Sequence, residues 1–250
     1  MKTIVSFFLT ILIMVWPMLV VGQDGGVLIF GGTRNTGLEI AKILAARAEQ
    51  VTAFVRPTSD LSGLDPLGVN YAVGDALNFD DVLAVLNRGA YRAVISTIGS
   101  SPRAKNPVDY TGTVNIVDAA KVAGVERLLA VTIIGPGDSI SMVPEEQRTT
   151  LAGAIALKAK AEDHIIGSGL DYTIVRPGQL THNPANGSAK LSLDPGVTGP
   201  LTRADLAGLV VDCLDNDATI GHVYHAIGDD PLARQGIGLN RSRRGVNRPN

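Results

Sequence analysis

The run Gly31-Gly32-Thr33-Arg34-Asn35-Thr36-Gly37 holds the residue types and spacing that bind a dinucleotide's phosphates. It follows four apolar residues, Val27 to Phe30, and precedes a helical pattern over residues 38–48. Strand, glycine turn and helix in that order are the context in which such glycines carry meaning. Gly31 permits a tight turn out of the strand, and Gly37 lets the helix pack close to it. The helix N-terminus then offers unpaired N–H groups and a positive dipole end to a pyrophosphate. Arg34 stands where a middle glycine is common. The competing reading is an ordinary strand-to-helix connection.

The strand over residues 51–55 ends in Arg56-Pro57. A domain that prefers NAD usually places an acid there to bind the ribose hydroxyls. Arg56 and Arg34 together offer two guanidinium groups to a 2′-phosphate and no carboxylate to repel it. NADP(H) is the expected cofactor. The alternative for Arg56 is a solvated residue at a strand end.

The elements that must position these groups alternate along the chain. Strands are expected over 69–73, 93–98, 128–134 and 172–175, with Tyr224 in a last short strand. Helices are expected over 80–87, 108–123, 154–166 and 205–214. Such alternation means an α/β doubly wound, mostly parallel sheet with helices on both faces, the Rossmann arrangement. The strands read as continuous apolar runs, as strands buried on both sides do. Two long polar stretches, 135–153 and 178–203, follow strands at their carboxyl ends, where ligands bind in open parallel sheets. Both are read as functional loops that hold a small-molecule substrate.

With 250 residues, 45% apolar and 18% charged, residues 23–231 suit one such domain. A net charge of −2 gives no electrostatic case for nucleic acid. Cys213 is the only cysteine, so the chain has no internal disulfide, and the helical spacing around it assigns it to the core. The four histidines share no helix face, and no metal site is expected. Residues 1–22 read as a secretory signal peptide, or as an N-terminal anchor attaching the chain to a membrane through residues 3–21. Either places the domain outside the cytoplasm; a misassigned start would leave it cytoplasmic. Residues 232–250 form a basic tail, with five arginines and no acid from Arg234 onward, expected to be disordered.

The ordered series GGTRNTG at 31–37, VTAFVR at 51–56, VGD at 73–75 and GVERLLAVTIIG at 124–135 continues with KAKAEDHIIGSGLDYTIVRPG at 158–178 and LTRADLAGLVVDCL at 201–214. Through these segments the chain resembles the atypical short-chain dehydrogenases/reductases, in the branch of NmrA-like proteins and flavin or biliverdin reductases. The resemblance implies that Asp75 and Ala76 lie against the adenine and that Thr97, Ile98 and Gly99 line the path to the nicotinamide. It also implies Lys158 at the nicotinamide ribose. Carbonyl-reducing members carry a tyrosine four residues before that lysine and a serine at the end of the fifth strand. Here those positions read Ala154 and Ile133, with Thr132 the nearest hydroxyl. Lys158, Thr132 and Tyr110 remain the candidate catalytic residues.

The leading expectation is an NADP(H)-dependent oxidoreductase acting on a planar electron-accepting molecule, flavin- or tetrapyrrole-like. Such an acceptor takes hydride directly and its proton from water, so positioning does most of the catalysis. Two alternatives are a non-catalytic NADP-binding regulator or assembly factor and a nucleotide-dependent epimerase or isomerase.

Overall fold

A computed structural model describes residues 25–100, 104 and 107–233. The leader over residues 1–22 and the tail from residue 234 lie outside the described residues.

The first apolar run forms β1 (Gly26–Phe30), buried at every position. Successive side chains of a strand point to opposite faces. Val27 and Ile29 accordingly enter one core with Ile40, Ala41 and Leu44, while Leu28 and Phe30 enter another with Val82, Ile116 and Val117. Full burial of each such Leu, Ile or Phe contributes about 1.5–3 kcal/mol. One strand thereby anchors both layers.

After β1 come α1 (Asn35–Ala46), β2 (Val51–Val55), β3 (Asn70–Val73), α2 (Phe79–Arg88), β4 (Tyr91–Ser96), α3 (Thr111–Ala123) and β5 (Arg127–Val131). The second half holds α4 (Glu145–Ile166), β6 (Asp171–Pro177), β7 (Leu180–Thr181), β8 (Lys190–Ser192), β9 (Leu201–Thr202), α5 (Arg203–Leu214) and β10 (His222–Ile227). The main sheet has the order β3-β2-β1-β4-β5-β6-β10-β8. Its pairs are parallel except β8 against β10. Residues of α1 and α5 fill one core and those of α2, α3 and α4 the other. This is the doubly wound α/β fold expected from the sequence. The chain reverses direction of sheet growth between β1 and β4, which opens a crevice at their carboxyl ends.

The two long loops need correction. Residues 135–153 contain a 3-10 helix, Gly137–Met142, and the first turns of α4. Pro144 precedes that helix, and Glu145 and Glu146 lie in its first turn, where acids complement the dipole. Residues 178–203 hold three short strands; β7 pairs with β9 and β8 extends the main sheet. Helix α1 starts at Asn35 rather than Leu38 and ends before Ala48, whose φ of 58° is left-handed. Cys213 is buried in the core, and burial pushes its thiol up to about 11.

A buried arginine ties the sheet to α5. Arg127 donates to the carbonyls of Asp171 at 2.7 Å and Cys213 at 2.6 Å and to Thr219 Oγ1 at 3.0 Å. Cys213 lies in the last turn of α5, where a cation meets the negative dipole end. Replacing Arg127 with Met strands those acceptors. Urea unfolding of Arg127→Met is expected to reveal a loss of about 1–3 kcal/mol. Unchanged stability would mean that these bonds do not hold α5 in place.

Candidate functional site

The crevice at the β1/β4 switch point is a cleft of about 670 Å³. Its shape begins with Thr97, just past β4. The Thr97 N–H donates to the Phe30 carbonyl at 2.9 Å, and its Oγ1 lies 3.3 Å from the carbonyls of Phe30 and Gly31. Gly31 then turns with φ of 88°, a left-handed conformation that favours glycine. A Cβ on Gly37 would stand 2.2 Å from the Gly31 carbonyl oxygen and 2.7 Å from Thr97 Oγ1. Only glycine lets α1 begin this close to the strand.

Arg34, in extended backbone at the helix N-cap, makes no side-chain cap. The amides of the first turn are therefore left for a ligand. Thr36 Oγ1 is buried beside them with no hydrogen-bond partner. An orphaned hydroxyl, uncapped amides and a cradle that any Cβ would fill all fit a bound pyrophosphate.

Arg34 and Arg56 line the same end of the cleft, both exposed, and neither makes an ion pair among the described residues. Thr33, Asn35, Asp75, Ala76, Ile98 and Gly99 also line it. The Asp75 carboxylate accepts the Leu77 N–H at 2.9 Å, which folds the segment after β3 back along the wall. Two expected residues do not line the cleft. Gly32 is buried behind the turn, where a Cβ would be 3.4 Å from Ala53 and Ile29 side chains. Tyr110 precedes α3 with its side chain in solvent, because Val108 and Asp109 take the inward positions.

The cleft floor carries buried charge. Lys158 Nζ donates to the Ile98 carbonyl at 2.7 Å and pairs with Asp109 Oδ1 at 3.3 Å. Burial lowers the Lys158 pKa, and Asp109 offsets part of that effect. Asp109 also accepts the Ser100 N–H at 3.0 Å, which fixes the loop after β4. Thr132 lines the cleft but donates its hydroxyl proton to Glu162 Oε1 at 2.6 Å. Glu162 in turn receives Arg176 Nη2 at 2.7 Å, and Arg176 Nη1 reaches Asp138 at 2.8 Å. Burial opposes the Arg176 charge, but Glu162 and Asp138 outweigh it and hold the pKa above its usual value. Ile133, Leu151, Ala154, Leu180 and Arg203 also line the cleft.

Sequence reasoning missed Asp109, Glu162, Asp138, Leu151, Leu180 and Arg203. Only Glu162 left a local signal, one helical turn after Lys158 on the same face.

Residues 31–217 match the NAD(P)H-binding family, and the chain belongs to it. An uncharacterised chloroplastic protein of Arabidopsis thaliana is 31% identical over 75% of this chain and 71% of its own. The uncharacterised sugar epimerase YhfK of Bacillus subtilis is 25% identical over 83% of this chain and 96% of its own. Among solved structures, the anaerobilin reductase ChuY of Escherichia coli O157:H7 superposes with a TM-score of 0.73 at 29% identity, covering 81% of this chain and 97% of that one. These matches agree with the atypical short-chain reductase resemblance read from the motifs. A Veillonella parvula short-chain dehydrogenase/reductase solved with NADP shares the fold, with a TM-score of 0.63 at 15% identity over 81% of this chain and 94% of that one.

The glycine cradle yields a direct test. Gly37→Ala puts a methyl into the Gly31 carbonyl, so α1 must retreat from the turn. NAD(P)H affinity, followed by cofactor fluorescence, is expected to fall at least about tenfold. Wild-type affinity in this variant would place the phosphates elsewhere.

Proposed function

We propose that the chain is an NADP(H)-dependent reductase of a planar electron-accepting small molecule, flavin- or tetrapyrrole-like. The observation that carries this reading is the cleft itself. It joins a phosphate cradle to an apolar end lined by Ile133, Leu151, Ala154 and Leu180, with no phenol among the lining residues described. The 29% identity to an anaerobilin reductase over most of both chains supports it.

On this reading the amides at the start of α1 and Thr36 hold the pyrophosphate, and Arg34 and Arg56 hold the 2′-phosphate. Lys158, fixed by Ile98 and Asp109, presents its remaining N–H to the nicotinamide ribose. A reduced nicotinamide bound there supplies a hydride. Thr132 keeps its proton on Glu162 and acts as a positioned oxygen, not an acid. The substrate's proton comes from water, so the protein's work is orientation and exclusion. A second reading, a nucleotide-binding regulator without turnover, is favoured by Ala154 and Ile133 at the positions of the missing tyrosine and serine. An epimerase needs an acid/base pair that these positions do not provide.

Residues 1–22 are proposed as an export or membrane-attachment segment. Among the described residues no helix is long and apolar enough to cross a membrane. The Arabidopsis relative is named chloroplastic, so targeting away from the cytosol has a parallel in the family. A reporter active only after export, fused after residue 30, separates this from a cytoplasmic product.

NADPH is expected to bind more tightly than NADH. Each charge-assisted contact from Arg34 or Arg56 is worth about 1.5–3 kcal/mol, so Arg56→Ala should cost roughly tenfold or more with NADPH and little with NADH. Equal affinities that the substitution leaves unchanged would remove the NADP(H) assignment.

With NADPH, the chain should reduce free flavin or an open-chain tetrapyrrole while leaving small ketones nearly untouched. Brisk turnover of a ketone panel would show that an acid operates in the cleft after all. Binding of NADPH without turnover of any planar acceptor would favour the regulator.

A further inference from the structure

Arg203 is a cation placed where a cation is disfavoured. It is the first residue of α5, beside the positive end of the helix dipole. It lines the cleft, and burial lowers its pKa with no acid to offset the cost. Its side-chain partner among the described residues is an imidazole rather than a carboxylate: Nε donates to His182 Nε2 at 3.4 Å. The other two arginines whose charge burial opposes are each held by several acceptors, Arg127 by two carbonyls and Thr219 Oγ1, and Arg176 by two carboxylates. The acid nearest in sequence, Asp205, is turned away. Its carboxylate accepts from Asn186 N and Gly187 N, each at 3.0 Å, and from Thr202 Oγ1 at 2.9 Å.

The backbone holds Arg203 firmly in this position. β7 and β9 pair through Leu180 with Leu201 and Thr181 with Thr202, immediately before Arg203. Thr202 then caps α5 by accepting the Asp205 N–H at 3.0 Å. α5 itself lies along α1 and also touches β5 and β6, but Arg203 is placed by β9, whose partner β7 directly follows β6, three strands from β1. Neighbouring strands are about 4.8 Å apart, so Arg203 serves the half of the cleft away from the adenosine end. The lining that the second half of the chain contributes besides Arg203 is mainly apolar, with Val131, Ile133, Leu151, Ala154 and Leu180 beside Thr132 and Lys158.

We propose that Arg203 is a specificity-determining residue that grips an anionic arm of the substrate, a carboxylate or a phosphate, while the apolar residues hold its planar body. The planar body rests on the reductase reading given above; the requirement for a negative charge is new. Neutral planar acceptors lack the group that Arg203 is held to receive.

Two matched pairs of probes separate the charge from the ring: FMN against riboflavin, and biliverdin against its dimethyl ester. Binding is read from flavin fluorescence quenching and tetrapyrrole absorbance, turnover separately from NADPH oxidation. At least one acidic probe is expected to bind about tenfold or more tightly than its neutral partner. Arg203→Gln should erase that gap, leaving NADPH affinity unchanged. Arg203→Lys, which keeps the charge but loses the planar fork, should restore part of it. The gap surviving in Arg203→Gln overturns the proposal. So does no acid preference in either pair, no binding of any probe, or loss of NADPH affinity with the gap intact, which would assign Arg203 to the cofactor. An acid preference without turnover removes the reductase reading and leaves Arg203 in its role. Turnover without an acid preference does the reverse.

Discussion

The approach of α1 to the end of β1 is the constraint on which the rest of this molecule depends. Gly37 lies so near the Gly31 carbonyl that no side chain fits between them. Thr97, bonded to the Phe30 carbonyl, fixes the neighbouring strand end at the same level. Three elements therefore meet at one point, and the helix N-terminus opens directly onto the crevice. Were α1 to begin one residue further from the sheet, its amides would lie too far back to receive a phosphate. The two cores on either side of β1 hold this contact against the thermal motion of a turn rich in glycine. Packing and binding are consequences of one short distance.

Charge in the cleft is arranged in two ways. Lys158 with Asp109 at the floor, and Arg176 with Glu162 behind Thr132, are buried pairs, each acceptor and donor further engaged by hydroxyls or backbone. Buried pairs of this kind bring little net stability, because desolvation cancels much of the attraction. Breaking one leaves an isolated charge, so they hold their loops in a single geometry. At the rims, Arg34, Arg56 and Arg203 make no ion pair among the described residues. Buried pairs on one side and three arginines without a carboxylate partner among the described residues on the other are the arrangement that the proposed anionic ligands would suit.

The fold was largely legible because its signals are local. Glycine spacing, apolar runs and helix periodicity each lie within about a dozen residues, and they gave the alternation of strands and helices and the parallel, doubly wound class, whereas the order of the strands is set by contacts across the chain. The glycine turn and Arg56 were legible for the same reason. What escaped depends on distance along the chain. Nothing near Asp109 announces Lys158, and nothing in residues 135–142 announces that Asp138 reaches Arg176. The short strands β7 and β9 hold two residues each, too few for a period to register. Tyr110 was misplaced for a related reason: its sequence position is close to the cleft, but the turn into α3 rotates it outward. Pro144 with Glu145 and Glu146 was a readable helix start, hidden inside a stretch whose polarity resembled a loop.

The absence of a tyrosine at position 154 acquires a physical sense from the hydroxyl and ammonium groups that remain. Thr132 gives its proton to Glu162, and Lys158 directs two of its hydrogens to Ile98 and Asp109. Thr132 is committed, and the one hydrogen Lys158 keeps goes to the ribose on the proposed reading, so neither follows a developing alkoxide as a phenol does in carbonyl reduction. A ketone accepting hydride here would build charge on one oxygen with no positioned acid. A conjugated ring spreads the same charge over many atoms and collects its proton afterwards from water. On the proposed reading, the loss of the phenol is therefore tolerated only because the acceptor changed, and the alanine leaves the flat space that such an acceptor needs.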